Sequence, residues 1–104
     1  MGEFVRVASL SDLPPGAMKG VWVEDEAVAL FNVDGEIHAI GDICSHAHAH
    51  LTDGAVCGCE VECPLHGARF DIRSGKNLTM PAVRPVPCYE VRIDGDDILV
   101  NVDA

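Results

Sequence analysis

Apolar and polar positions alternate with a period of two in several short stretches, the signature of half-buried β-strands. Val91 and Ile93 alternate with Arg92 and Asp94. Further on, Ile98, Val100 and Val102 alternate with Leu99, Asn101 and Asp103, and only Leu99 departs from the pattern. The longest stretch free of Gly and Pro runs from Val21 to Asp34 and reads as two strands, VWVE and AVALFNV, broken by the acidic Glu24–Glu26. Elsewhere glycine and proline recur too often for a helical period to develop.

Turn residues join these pieces. Asp34-Gly35 links AVALFNV to EIHAI, and a two-residue Asp-Gly loop suits a type I′ hairpin. Ile93-Asp94-Gly95-Asp96-Asp97 predicts a second hairpin, and SDLPPG (Ser11 to Gly16) a short turn with at most one loop of helix. The segment from Asp42 to about Pro87 differs: it holds four of the five cysteines and four of the five histidines, with few apolar runs. The pattern predicts an all-β framework with a loop-rich, metal-binding insertion, and no internal repeat.

Length changes the picture only by excluding a second domain. A chain of 104 residues forms one domain, 1–104, that buries roughly 60–65% of the surface its unfolded form exposes. Charge says more. Seventeen acidic against seven basic residues leave a formal charge of −10. Nucleic acid and anionic membranes are therefore poor partners, since both demand clustered Lys and Arg. An acidic surface instead steers association towards basic patches on other proteins, or simply keeps the chain in solution.

Five cysteines need a reason. The start, MGEFVRVAS, has neither a basic leader nor a long apolar run, and no stretch approaches the ~20 residues of a membrane span. A cytoplasmic location is expected, where thiols stay reduced and metal binding becomes the leading account of the cysteines.

Two short motifs carry that chemistry: Cys44-Ser45-His46 and Cys63-Pro64-Leu65-His66-Gly67, with sixteen residues between His46 and Cys63. Residues i and i+2 of an extended chain point the same way, which serves Cys44 and His46. Positions i and i+3 of a β-turn converge, which serves Cys63 and His66, with Pro64 at the favoured second position. Gly67 lets the chain leave in a conformation closed to bulkier residues. Two thiolates and two imidazoles could hold a single tetrahedral zinc. Zinc fingers, however, usually segregate Cys and His, whereas each motif here is mixed, as suits a two-iron cluster with Cys on one iron and His on the other.

The paired motif, C-x-H and C-P-L-H-G, resembles the Rieske iron–sulfur signature, and the likeness continues through Gly67-Ala68-Arg69-Phe70-Asp71, Ser74-Gly75 and Pro85-Val86-Pro87-Cys88-Tyr89-Glu90-Val91-Arg92. That resemblance covers essentially the whole chain. It implies stacked antiparallel β-sheets with a cluster-binding subdomain at about 42–87. It also implies one [2Fe–2S] cluster per chain, held through Cys44 and Cys63 on the buried iron and His46 and His66 on the outer one.

Departures from the respiratory members of the family refine the expectation. Their loop-to-loop disulfide would fall at Ala49 and Leu65, and the hydroxyl donors that follow their second His would fall at Ala68 and Phe70. None of these residues can supply such a bond. Hydrogen bonds to cluster sulfur stabilise the electron-rich reduced state, so their loss lowers the potential, and acidic charge acts in the same direction. A potential near the low end of the Rieske range, about −150 mV, is expected.

The resemblance thus implies a soluble, monomeric electron carrier, not an enzyme, moving single electrons from a flavin reductase to a terminal ring-hydroxylating oxygenase. Alternatives are a Rieske-like small subunit of another redox enzyme, such as a nitrite reductase, and a zinc-stabilised binding module. The remaining residues read blandly. His48 and His50 are spectators, and His38 is structural. Cys57 and Cys59 are small, partly buried thiols, since their C-x-C does not match plant-type ferredoxin spacing. Cys88 faces the core, and Trp22 packs rather than docks. Met80-Pro81 closes over the cluster, and Glu60 and Glu62 are ordinary solvated charges.

Overall fold

The structure, a computed structural model, describes residues 3–44, 49–65, 67–79 and 84–102. Among them are nine strands: β1 (Val5–Ser9), β2 (Met18–Val23), β3 (Glu26–Val33), β4 (Glu36–Gly41), β5 (Ala55–Cys57), β6 (Glu60–Glu62), β7 (Arg69–Asp71), β8 (Cys88–Asp94) and β9 (Asp97–Asn101). Helical structure among the described residues is confined to two 3-10 turns, Leu10–Asp12 and Leu51–Asp53. The fold is all-β, and every strand pairing is antiparallel.

Six strands form one sheet in the order β1-β9-β8-β4-β3-β2, and β5-β6-β7 form a second. The chain leaves the large sheet after Gly41 and rejoins it at Cys88, so the small sheet and its loops form a single excursion between β4 and β8.

The near-continuous apolar run of β3 follows from its place. Ala29, Phe31 and Val33 face one core, shared with Ile40, Leu51, Val61, Phe70 and Ile72. Val28 and Leu30 face the other, shared with Leu13, Val23, Ala39, Ile98 and Val100. A strand buried on both faces has no polar side, which removes the alternation that marks half-buried strands. The first of these cores also contains Cys44 and Cys63, so the β3–β4 ribbon is the wall on which the cysteine loops stand.

Both predicted hairpins form. Asp34 and Gly35 take positive φ of 52° and 94°, as the two central positions of a type I′ turn require. Gly95 alone takes positive φ, 62°, in the β8–β9 loop. Asn32, buried in the large sheet, donates from Nδ2 to the Leu13 carbonyl at 2.8 Å and accepts the Gly35 N–H at 2.8 Å.

Three expectations are corrected. Trp22 is 65% exposed. It does alternate with Val21 and Val23, but those two point inward and the indole points out. Its size misleads: the strand's register, not the residue's hydrophobicity, chooses its side. Cys88 is exposed rather than core-facing, because Tyr89 takes the buried side of β8. Cys57 is likewise exposed, at the end of β5, while Cys59 is half-buried.

Candidate metal centre

Cys44 and Cys63 are 3% and 1% exposed, and neither is in a disulfide. The backbone presents them identically. Cys44 N–H donates to the Ala49 carbonyl at 2.9 Å, and Cys63 N–H to the Ala68 carbonyl at 2.7 Å. Just outside, Ile43 pairs with His50 and Glu62 with Arg69, both antiparallel. Each cysteine therefore opens a short loop closed five residues later by a buried alanine. The two cysteines share one pattern of backbone closure that the sequence conceals, since CSHAHA and CPLHGA share only their first and last residues.

Small residues at these closing positions allow the two strands of each loop to meet over the core. Gly67, with φ of 74°, turns its N–H onto the Cys63 carbonyl at 3.1 Å, a conformation that a side chain would strain. Ala68 and Phe70 have no exposed surface at all. His46, His66 and His48 lie outside the described residues, as do Met80 and Pro81. Among the described residues no three His, Cys, Asp or Glu side chains gather as a metal site.

The first loop is anchored by a residue that the pattern of apolar positions does not mark. Asp42 is 2% exposed. Its Oδ2 accepts from His50 Nδ1 at 2.8 Å and from Thr52 Oγ1 at 3.0 Å, and its Oδ1 accepts the Thr52 N–H at 2.9 Å. These partners are eight and ten residues away, so no local motif announces them. A buried carboxylate persists only with such a set of donors. His50 is thus a structural partner of Asp42, and its ring also meets the Trp22 indole edge-on, with centroids 6.2 Å apart.

Below the second loop, Arg69 reaches Glu60 at 3.5 Å and Glu62 at 3.4 Å. The two glutamates are paired across β6 and β7 rather than merely solvated. At the start of β8, Cys88 Sγ donates to the Arg73 carbonyl at 3.3 Å. Local desolvation, then Asp71, pushes this thiol's pKa up, away from reactivity.

Comparison with known families places the chain as a whole. The family model of the Rieske [2Fe-2S] domain matches residues 3–90. The chain belongs to the Rieske [2Fe–2S] domain family. The Rieske domain carries a [2Fe–2S] cluster, and two buried thiols outside any disulfide fit such a group by donor chemistry.

Relatives of nearly equal length agree. The ferredoxin component of the naphthalene 1,2-dioxygenase system of Pseudomonas putida is 37% identical over 100 residues, 96% of each chain. The solved ferredoxin of carbazole 1,9a-dioxygenase from Nocardioides aromaticivorans IC177 superposes with a TM-score of 0.89 at 41% identity, over 93% of this chain and 95% of that one. A complex of reduced oxygenase and oxidized ferredoxin in carbazole 1,9a-dioxygenase aligns with a TM-score of 0.89 at 29% identity, covering 94% of this Rieske chain and 92% of that chain. These relatives are electron-transfer components of dioxygenase systems rather than the catalytic subunits.

Proposed function

We propose that this Rieske protein is a one-electron carrier that takes electrons from a flavin reductase and delivers them to a terminal ring-hydroxylating oxygenase. The observation that carries this reading is the pair of buried thiols, Cys44 and Cys63, with matching backbone hydrogen bonds, within a chain whose full-length relatives are dioxygenase ferredoxins. In this reading Cys44 and Cys63 bind the inner iron, and His46 and His66 the outer one. The whole of 1–104 is one domain, and the 42–87 excursion is its cluster-bearing part.

The cluster supplies the redox couple, and the chain supplies its setting. Burial of the cysteines keeps water from the inner iron. Neutral histidines in place of two thiolates reduce the negative charge around the irons and so raise the potential above that of an all-Cys cluster. Ala68 and Phe70, fully buried and without hydroxyls, offer no side-chain donor to sulfur, which holds the potential at the low end of the family's range.

The test is an absorption spectrum followed by EPR after dithionite reduction. A red-brown protein whose reduced signal has an average g below that of all-Cys [2Fe–2S] clusters supports mixed ligation. Electron relay from a flavin reductase to an oxygenase, lost when the protein is omitted, supports the carrier role. A colourless protein with one zinc per chain would overturn both.

A further inference from the structure

We propose that the groove beside Trp22 is a docking face for a redox partner whose apolar edge is ringed by Lys and Arg. This rests on the carrier reading above and adds the face and the chemistry of its occupant. Trp22 is the chain's single tryptophan and its most exposed large apolar side chain among the described residues. It borders an open groove of about 200 Å³, with Ile43 and Pro87 among its walls and Asp25 and Glu26 on its rim. Ile43 is 39% exposed and precedes the cluster ligand Cys44 directly, so the groove begins at the foot of the first cluster loop.

The indole is also held in place. Its ring meets His50, and His50 is bonded to the buried Asp42. A preset aromatic anchor loses little freedom on binding, and tryptophan is the side chain most enriched at the energetic centre of interfaces. Three consecutive exposed acids, Glu24, Asp25 and Glu26, cap this end of the β2–β3 hairpin on a chain of net charge −10. Among the described residues no cation bonds to any of the three, and Glu26 only accepts from Tyr89 Oη at 3.2 Å. An apolar anchor beside an unneutralised acidic rim complements an apolar edge within a basic ring, and repels an acidic partner.

The probe is oxidised cytochrome c, a basic protein whose apolar haem edge is surrounded by lysines. One electron passes from the reduced [2Fe–2S] cluster to the ferric haem, which becomes ferrous, and the second-order rate is followed by stopped flow across a salt series. Trp22→Ala should slow the low-salt reaction about tenfold or more, and Trp22→Phe should recover most of the loss. The combined Glu24→Gln, Asp25→Asn, Glu26→Gln variant should flatten the salt dependence.

A control pair, Asp34→Asn with Glu36→Gln, sits at the other end of β3, roughly 23 Å away at strand rise, and should change the rate less than about twofold. Each variant's potential is measured, so that a driving-force effect is separated from docking. Rates and salt slopes equal to wild type in the Trp22 and acidic-rim variants, or an equal loss in the control, would overturn the docking face while leaving the carrier intact. A wild-type protein that holds its cluster but fails to reduce cytochrome c would overturn the docking face, whereas loss of the reductase-to-oxygenase relay would overturn the carrier reading.

Discussion

His50 Nδ1 donates to the Asp42 carboxylate at 2.8 Å, tying the outgoing end of the first cysteine loop to the residue at which the chain leaves the large sheet. Asp42 also receives both the amide and the hydroxyl of Thr52. Replacing Asp42 by Ala removes three bonds to a buried anion and leaves their donors short of a partner. The expected loss is about 3 kcal/mol of stability, read by denaturant unfolding of the cluster-loaded protein. The variant should also bleach faster in air, because the loop that carries the proposed ligand Cys44 loses its anchor.

Ala68 offers a test of the potential. Its side chain is fully buried in the second loop, and its carbonyl closes that loop on Cys63. Ala68→Ser adds a hydroxyl donor where the loop packs. If it bonds cluster sulfur more strongly in the reduced state by about 1 kcal/mol, the one-electron potential rises by roughly 40 mV. Protein-film voltammetry of the two forms checks it. A fall in potential would show that this hydroxyl does not reach the cluster.

Ligand substitutions separate the histidines. Cys44→Ser or Cys63→Ser should abolish the visible spectrum. His46→Cys, if the cluster survives, should lower the potential, because a thiolate adds negative charge at the irons. His48→Ala should change neither spectrum nor potential appreciably. Loss of the cluster in His48→Ala would overturn the proposed ligand set.

Tyr89 governs the alkaline limit. Burial, followed by the charge of Glu26 and the hydrogen bond to it, pushes its pKa up to about 12 from the ordinary 10. A raised pKa means that the folded state favours the neutral phenol. Its contribution to stability is therefore complete below about pH 10 and is lost progressively as pH rises towards 12. Tyr89 is the chain's single tyrosine, so a spectrophotometric titration of tyrosinate reads it directly. Tyr89→Phe should flatten the stability profile over that interval while leaving the neutral-pH spectrum of the cluster unchanged.

Much of the framework is legible in local pattern. The hairpin at Asp34-Gly35 follows from residues that tolerate positive φ, and the β8 and β9 strands follow from alternation. The cysteine pair follows from its motif. Other features depend on partners distant along the chain. Cys88 looks like any apolar strand residue until the register puts Tyr89 on the buried side. Glu60 and Glu62 look like solvated charges until β7 brings Arg69 across from them. Asp42 has no signature, since a buried carboxylate is recognisable only when its donors are in place.

The sequence by itself determined that this chain is all-β, because strand period and turn chemistry are local properties that survive without a structure, and its C-x-H and C-P-L-H-G motifs carry the resemblance to the Rieske family. Tertiary structure alone decided that Trp22 lies outside, that Cys44 and Cys63 make matching backbone hydrogen bonds, and that one buried carboxylate holds His50 and Thr52. Those outcomes depend on which strands become neighbours and in what register. Register is fixed by burying two cores on opposite faces of β3 at once, a collective condition that no short stretch of residues contains.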